Sequence, residues 1–485
     1  MAIHFGTDGW RGVISDTFTF SSLRQVTQAI ADAVASDEWL DGGGVIPAEP
    51  KRMVVGFDTR FLSDRYAVEA ARVLAANGYH VSLATADIPT PLLSFAVKSL
   101  GAIAGVMITA SHNAPRYNGV KLKAAFGGPA SPEQCRRVEV YLTDNESRAR
   151  GPNVMDYDAA RTQGLIQRFS PVPEYEEHLH RLLDFERIAA RPQRVVVDSM
   201  YGSGRGMVRN LLQGTGCEVT EIRGEMNPGF GGIHPEPIAR YLGPLATAVA
   251  SARAEIGLAT DGDADRIGAM DRHGTFVDPH RILALTLRYL VERRGWRGKV
   301  IKTISTTQMI DRLAARYGLE VVETPVGFNH ITDHMLRGDV LLGGEESGGM
   351  SIQGHLPEGD GVLMAILLVE MVSAMGAPLE DLVEDLLMEA GPSHYARVDL
   401  RLSAPVSKAR MVERLAHGAP STIGGVAVSR VNTLDGVKYL LADESWLLIR
   451  PSGTEPVLRV YAEARETGMV EALLGFGRSL ADVRG

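Results

Sequence analysis

The sequence predicts an α/β fold with mostly parallel sheets. Apolar runs of strand length recur along the chain, each ends in a small polar or glycine-rich cluster, and segments of helical period lie between them. In chain order the runs are RMVVGFDTR, AIAGVMITASHN, RVVVDSMYGSGRG, EIGLATDGDADR, KVIKTISTT and VLLGGEESGG. The helical segments include SDRYAVEAARVLAANG, MVRNLLQGTG and TQMIDRLAARYG, and the last two end in glycine just past the periodic part. In such sheets ligands gather at the carboxyl ends of the strands, which is where every one of these polar clusters falls.

The last part of the chain reads differently. The segment DGVKYLLADESWLLIRPSGTEPVLRVYAEA alternates with hairpin-like turns and leads into a helix, which predicts a smaller α+β domain with an antiparallel sheet. By composition, DNESRARGPNVMDYDAARTQG and GAPLEDLVEDLLMEAGPSHYARVDLRLS mark domain junctions. A chain of 485 residues exceeds one ordinary core, and size scaling gives roughly three or four domains.

Composition narrows the partners. A net charge of −9 without long Lys or Arg runs argues against a nucleic-acid backbone or an anionic membrane, so a small anionic ligand must be held by locally placed cations. The start MAIHFGTDGW lacks the basic and then apolar build of a signal peptide. The run GVLMAILLVEMVSAMG is interrupted by Glu370 and too short to span a membrane, so it reads as a buried core helix. Cys135 and Cys217 lie far apart without His or Cys neighbours at metal spacing, which predicts two free thiols, a cytoplasmic location and no structural zinc.

Four clusters carry candidate chemistry. In DGDADR, Asp261, Asp263 and Asp265 alternate with small residues; in an extended chain they point the same way and could converge on one hard cation. Carboxylates this close repel unless a cation or an arginine compensates. The bland alternative is a solvated acidic turn, and an EF-hand is disfavoured because Arg266 and Arg272 occupy its glycine and glutamate positions. RPSGTEP packs a guanidinium, two hydroxyls and a glycine into one turn, with Arg459 just beyond, the equipment for holding phosphate oxygens; on its own it also reads as an ordinary hairpin turn. In GGEESGG, Glu345 and Ser347 on alternate positions suit the vicinal hydroxyls of a sugar. GSGRG, Gly202 to Gly206, has neither dinucleotide nor Walker spacing and reads as a strand-to-helix turn.

The fourth cluster is TASHNAPRYNGVK. Ser111 and His112 are adjacent, so in extended chain their side chains diverge and a Ser–His base pair is not expected; the G-x-S-x-G elbow is absent as well. Two readings remain. Ser111 caps a following helix, or it carries a group covalently, with Lys121 and His112 as proton carrier or anion partners.

Taken in order, with FGTDGWRG ahead of them at Phe5, TASHNAPRYNGVK, DGDADR, GGEESGG and RPSGTEP resemble the α-D-phosphohexomutase superfamily. The resemblance implies four domains around a central cleft, three related α/β units and a smaller C-terminal α+β unit, each giving one loop to the site. Residues 1–170 would carry the phosphoserine loop, 171–275 the metal loop, 276–391 the sugar loop and 392–485 the phosphate loop. It implies Ser111 as a phosphoserine, and Asp261, Asp263 and Asp265 with a phosphoserine oxygen as ligands of Mg²⁺. Arg266 would be a neighbour of the phosphoserine, Arg11 and His112 its supports, and Lys121 the general acid or base. Glu345 and Ser347 would bind sugar hydroxyls, while Arg450, Ser452, Gly453, Thr454 and Arg459 would hold the non-reacting phosphate. A hexose phosphate is then the substrate and a hexose 1,6-bisphosphate the activator, on phosphoryl-transfer chemistry that rests on alignment and charge neutralisation.

The GEES form of the sugar loop resembles glucose-specific members, which points to glucose 1-phosphate and glucose 6-phosphate. The chain departs from the family pattern at Asn329, where many relatives carry Lys, at Gly349, where mannose-active relatives often carry His, and at Ala114, in place of Pro. The neighbouring His330 or the more distant His355 could substitute for these groups. Other activities compatible with the scaffold are a phosphomannomutase or dual-specificity mutase, a glucose 1,6-bisphosphate synthase, and a non-catalytic sugar-phosphate-binding protein.

Overall fold

All six apolar runs form strands, and the strands are parallel where the alternation with helices predicts it. The computed structural model describes residues 3–5, 9–42, 46–402, 407–451 and 457–481. These pack as two compact units, one of Met1–Ile282, Gly327–Gly338 and Ser347–Glu380, the other of Leu283–Val326, Asp339–Glu346 and Asp381–Gly485.

The first unit holds two sheets. One runs in the order Trp10–Val13, Tyr117–Ala124, Ala102–Ile108, Glu49–Phe57, His80–Ala84, Ile166–Phe169. Its centre is parallel, and every residue of Ala102–Ile108 is buried, as befits a strand covered on both faces. Antiparallel pairing enters where Tyr117–Ala124 returns against Ala102–Ile108 and Trp10–Val13. The other sheet runs Phe276–Val277, Ile267–Asp271, Ile256–Thr260, Arg194–Asp198, Glu218–Ile222, parallel among the last three. Ile256–Thr260 and Ile267–Asp271 pair as an antiparallel hairpin. Both TASHNAPR and DGDADR therefore connect antiparallel strands, each at the carboxyl end of a central strand. GSGRG is the predicted strand-to-helix turn, followed by the short helix Met207–Leu211.

The run at Gly361–Met375 is the predicted core helix, buried along nearly its whole length. Asp360 caps it, its Oδ1 accepting the N–H groups of Val362 and Leu363 at 2.9 Å. Glu370, the charge that interrupts the run, is fully buried and accepts the Asp184 N–H at 2.9 Å. Among the described residues no single helix is long and apolar enough to cross a membrane. Cys135 and Cys217 carry free thiols, as expected.

The cap of this helix belongs to a buried relay. Asp360 Oδ2 accepts the Tyr175 hydroxyl at 2.5 Å and lies 2.9 Å from His355 Nε2, and His355 Nδ1 lies 3.0 Å from His178 Nε2. Both ring nitrogens of His355 are thus engaged within the fold. Burial first, then the charges of His355 and Arg181, push the His178 imidazole down to about 4 from its ordinary 6.5. Between those two values the unfolded histidine binds a proton that the folded one refuses, so this contribution to stability is complete above 6.5 and is lost as pH falls toward 4.

In the second unit Val321–Thr324, Lys299–Thr303 and Val340–Gly344 are parallel neighbours. The predicted antiparallel sheet runs His394–Arg401, Val457–Ala464, Trp446–Pro451, Val437–Leu441, Val426–Asn432, Thr422–Ile423. The helix Thr467–Ala481 packs Leu473 and Leu474 against Ile449, Leu458 and Val460 of that sheet. One buried carboxylate joins the two sheets. Glu463 accepts from the Thr307 hydroxyl at 2.6 Å, the Gln308 N–H at 3.0 Å, the Ser393 hydroxyl at 2.5 Å and the Trp446 indole N–H at 2.7 Å.

Both networks can be tested. Glu463→Ala strands several buried donors and is expected to cost about 3–5 kcal/mol, read as a lower urea midpoint, with Glu463→Gln losing distinctly less. Lowering the pH from 7 to 5 is expected to lower the urea midpoint of the wild type, and His178→Gln to flatten that dependence; an unchanged slope in the variant would remove His178 as its source.

Candidate active site

The serine loop takes its shape from one backbone conformation. Ser111 has φ 51°, a left-handed value that non-glycine residues adopt at a cost. Its side chain is buried, and Oγ donates to Asp261 Oδ2 at 2.9 Å. Ser111 Oγ and His112 Nδ1 also lie 3.2 Å apart, which corrects the sequence expectation that the two side chains diverge. That expectation assumed extended chain, whereas the left-handed residue turns the two side chains toward each other. The helix-cap reading of Ser111 also fails, because the segment that follows the turn is the strand Tyr117–Ala124. The Ser111 N–H is taken instead by the Thr109 hydroxyl at 2.9 Å.

The three aspartates converge, with ligand oxygens all within 4.8 Å of one another. They do so through a turn rather than an extended chain. Ala264 is left-handed at φ 55°, and Asp261 Oδ1 accepts the N–H groups of Asp265 at 3.0 Å and Arg266 at 3.2 Å. Gly262 lets this turn meet the serine loop: a Cβ there would run into the carbonyl oxygen of Ser111 and lie 3.0 Å from Pro235.

Lys121 supplies the compensating cation. Its Nζ lies 2.7 Å from Asp265 Oδ2 and 3.0 Å from Asp263 Oδ2, on a residue only 1% exposed. The Thr90 hydroxyl also donates to Asp263 Oδ2, at 2.5 Å. Burial alone would raise the Asp263 carboxyl, but the Lys121 ammonium and the Thr90 hydrogen bond outweigh it and hold the group below the usual range. Asp261 goes the other way: burial, then the charges of Asp265 and Asp263, push it well above that range. Asp263 Oδ1 is buried with no hydrogen-bond partner among the described residues. An orphaned carboxylate oxygen among three converging acids fits a hard divalent cation, which these residues could hold.

The flanking groups are less direct than expected. Arg11, on the strand Trp10–Val13, reaches the loop through Asn113 Oδ1 at 2.5 Å. Arg266 lies 3.8 Å from Asp265 and 3.4 Å from Glu236. His112 is pushed well below its ordinary value by burial and then by the charges of Arg266, Arg11, Lys121 and Arg60, so it presents a neutral ring. Thr90 and the buried set Asp58, Arg60 and Thr109 were not read from sequence. A signal was present, because FDTR sits at the carboxyl end of Glu49–Phe57, the parallel neighbour of the strand that leads into Ser111.

The remaining predicted residues are placed as follows. In the first unit Ser347 is half-buried, and Asn329 is buried on the helix Phe328–Leu336 with Oδ1 unpartnered among the described residues. In the second unit Glu345 is half-buried just past Val340–Gly344, and its neighbour Glu346 accepts the Tyr395 hydroxyl at 2.8 Å. Arg450 and Arg459 face each other across Trp446–Pro451 and Val457–Ala464. Arg450 Nε donates to Asp435 at 2.6 Å, and the buried Arg459 Nε has no hydrogen-bond partner among the described residues. Facing like charges repel, which an anion held by them would relieve. Ser452, Gly453 and Thr454 lie outside the described residues.

Comparison with known proteins assigns the chain to a family. Residues 2–149, 173–274 and 278–389 match the descriptions phosphoglucomutase/phosphomannomutase, alpha/beta/alpha domains I, II and III, and residues 405–474 match the C-terminal domain. A "probable phosphoglucosamine mutase" of Methanothermobacter thermautotrophicus is 31% identical over 95% of this chain and 94% of its own. A phosphoglucomutase/phosphomannomutase of Thermococcus kodakarensis is 28% identical over 99% and 98% of the two chains. The crystal structure of a Thermus thermophilus protein assigned as a phosphomannomutase is 36% identical, with a TM-score of 0.84 over 99% of each chain. With four domains of one architecture matched in order along its length, the chain belongs to the phosphoglucomutase/phosphomannomutase family, the intramolecular phosphotransferases of the α-D-phosphohexomutase superfamily.

Proposed function

We propose that this chain interconverts glucose 1-phosphate and glucose 6-phosphate through a phosphorylated Ser111 and a glucose 1,6-bisphosphate intermediate. The observation that carries the reading is the serine hydroxyl 2.9 Å from one acid of a buried triad that also holds a lysine. The phosphoryl group on Ser111 passes to the free hydroxyl of the hexose phosphate: the bond from phosphorus to Oγ breaks, the bond to the sugar oxygen forms, and the hydroxyl proton is returned to Oγ. The resulting bisphosphate turns over and gives its other phosphoryl group back to Ser111. Lys121 is the proton carrier, and Arg11, His112 and Arg266 keep the loop and its charge in place. Asp261, Asp263 and Asp265 would hold Mg²⁺, which supplies charge neutralisation at the transferring group.

The substrate is bound by the two other loops in this reading. Glu345 and Ser347 take the sugar hydroxyls, and Arg450, Ser452, Gly453, Thr454 and Arg459 hold the non-reacting phosphate, whose binding orients the reacting end. The four loops come one each from domains at 1–170, 171–275, 276–391 and 392–485. The GEES sequence of the sugar loop supports glucose. A glucosamine phosphate is the second reading, supported by the "probable phosphoglucosamine mutase" relatives at 31 and 32% identity.

The test is a panel of glucose, mannose and glucosamine 1-phosphates with Mg²⁺, with and without the matching bisphosphate. Glucose 1-phosphate is expected to lead in kcat/KM, and a lead by glucosamine 1-phosphate would transfer the assignment to that sugar. Ser111→Ala is expected to lose at least about 10³-fold in turnover, and an alanine variant as fast as wild type ends the phosphoserine mechanism. Chelation with EDTA and the Asp263→Ala change are each expected to abolish turnover while hexose phosphate binding, followed by calorimetry, persists. Full activity of Asp263→Ala would remove the metal role.

A further inference from the structure

The best-anchored side chain beside Ser111 is one that the proposed cycle does not use. Arg60 follows the strand Glu49–Phe57 and its side chain is completely buried. Its terminal nitrogens donate only to carbonyls of the serine loop: Nη2 to Ser111 and Asn113, both at 2.6 Å, and Nη1 to Ala114 and Tyr117, both at 3.0 Å. Nε lies 3.1 Å from Asp58, and the guanidinium rests 4.9 Å above the Phe230 ring.

Asp58 closes a ring around the serine. The same carboxylate that pairs with Arg60 accepts the Thr109 hydroxyl at 2.7 Å, and that hydroxyl oxygen accepts the Ser111 N–H at 2.9 Å. Both peptide groups of Ser111 are therefore held, the N–H by Thr109 and the carbonyl by Arg60, and both holders answer to Asp58. Such clamping is what an uncommon left-handed serine requires, since a free loop would relax to a commoner conformation.

The geometry points to Arg60 as a positioning residue for phosphoryl transfer: with Asp58 and Thr109 it fixes the left-handed Ser111 so that Oγ faces the acidic triad. The inference rests on Ser111 being the phosphoryl carrier. A lysine here keeps the charge but has one nitrogen where the fork has two, so it cannot serve carbonyls spread over residues 111 to 117. Arg60→Lys separates the geometry from the charge.

Wild type and Arg60→Lys are loaded with glucose 1,6-bisphosphate and followed in single-turnover transfer from phospho-Ser111 to glucose 1-phosphate, with KM and the ³¹P spectrum of the phosphoserine measured alongside. Transfer is expected to slow about 10²-fold while KM stays within about threefold, with a displaced or broadened phosphoserine line. A folded variant that transfers at the wild-type rate with an unmoved line overturns the proposal, as does a loss of activity that only tracks the fraction of folded protein. If Arg60→Lys does not fold, Thr109→Val carries the test: it is expected to slow transfer about tenfold at unchanged KM, and wild-type transfer overturns the proposal. A wild-type protein that takes no phosphate on Ser111 overturns this inference and the phosphoserine reading together, whereas a phosphorylated wild type with an indifferent Arg60 overturns this inference alone.

Discussion

The site depends on how three buried carboxylates tolerate one another. Two unit charges 4.8 Å apart repel by about 3 kcal/mol at the effective dielectric of a protein site, and the triad contains three such pairs. Lys121 offsets part of this, as do the Thr90 hydroxyl and the backbone N–H groups that Asp261 receives. The rest is visible as the raised affinity of Asp261 for a proton. A divalent cation relieves the same repulsion, so the triad is arranged for a positive charge that the chain supplies only in part.

That electrostatic arrangement requires two hairpin turns in close contact. Each contains a left-handed residue other than glycine, Ser111 in one and Ala264 in the other, and Gly262 removes the side chain that would keep the turns apart. Left-handed residues of this kind cost about 1–2 kcal/mol each, and they persist where the surroundings fix them. Here the fixing groups are buried and mutually bonded, so little reorganisation is left to the moment of reaction, which is the condition under which electrostatic stabilisation is most effective.

Much of this was legible in the sequence because it is written in local patterns. The strands show as aliphatic runs, the core helix as an apolar stretch too short to span a membrane, and the reactive loops as polar clusters at strand carboxyl ends. What was not legible depends on backbone conformation or on distant pairing. Nothing in TASHN announces a left-handed serine, so the closeness of Ser111 and His112 and the absence of a following helix were both misjudged. Arg60 lies 51 positions before Ser111, and its link to the serine carbonyl arises only because two parallel strands bring their ends together. The grouping of two sheets about Glu463 is of the same kind, since a lone glutamate in an alternating strand shows nothing of the donors it will meet.

The position of Asn329 bears on proton transfer in the proposed cycle. Many relatives carry lysine there, whereas this chain has a buried amide, which does not titrate, and the nearby His355 is committed to Asp360 and His178. Lys121 is then the single assigned carrier. One carrier suffices because each half-reaction is proton-neutral: the proton that leaves the sugar hydroxyl is the one that Ser111 Oγ gains. The two carboxylates at 2.7 and 3.0 Å favour the ammonium form of Lys121, so it enters each half-reaction best placed to donate toward the oxygen that leaves phosphorus and is recharged by the attacking hydroxyl. The same pair of ionic contacts thus balances the triad at rest and sets the direction of the proton in both halves of the cycle.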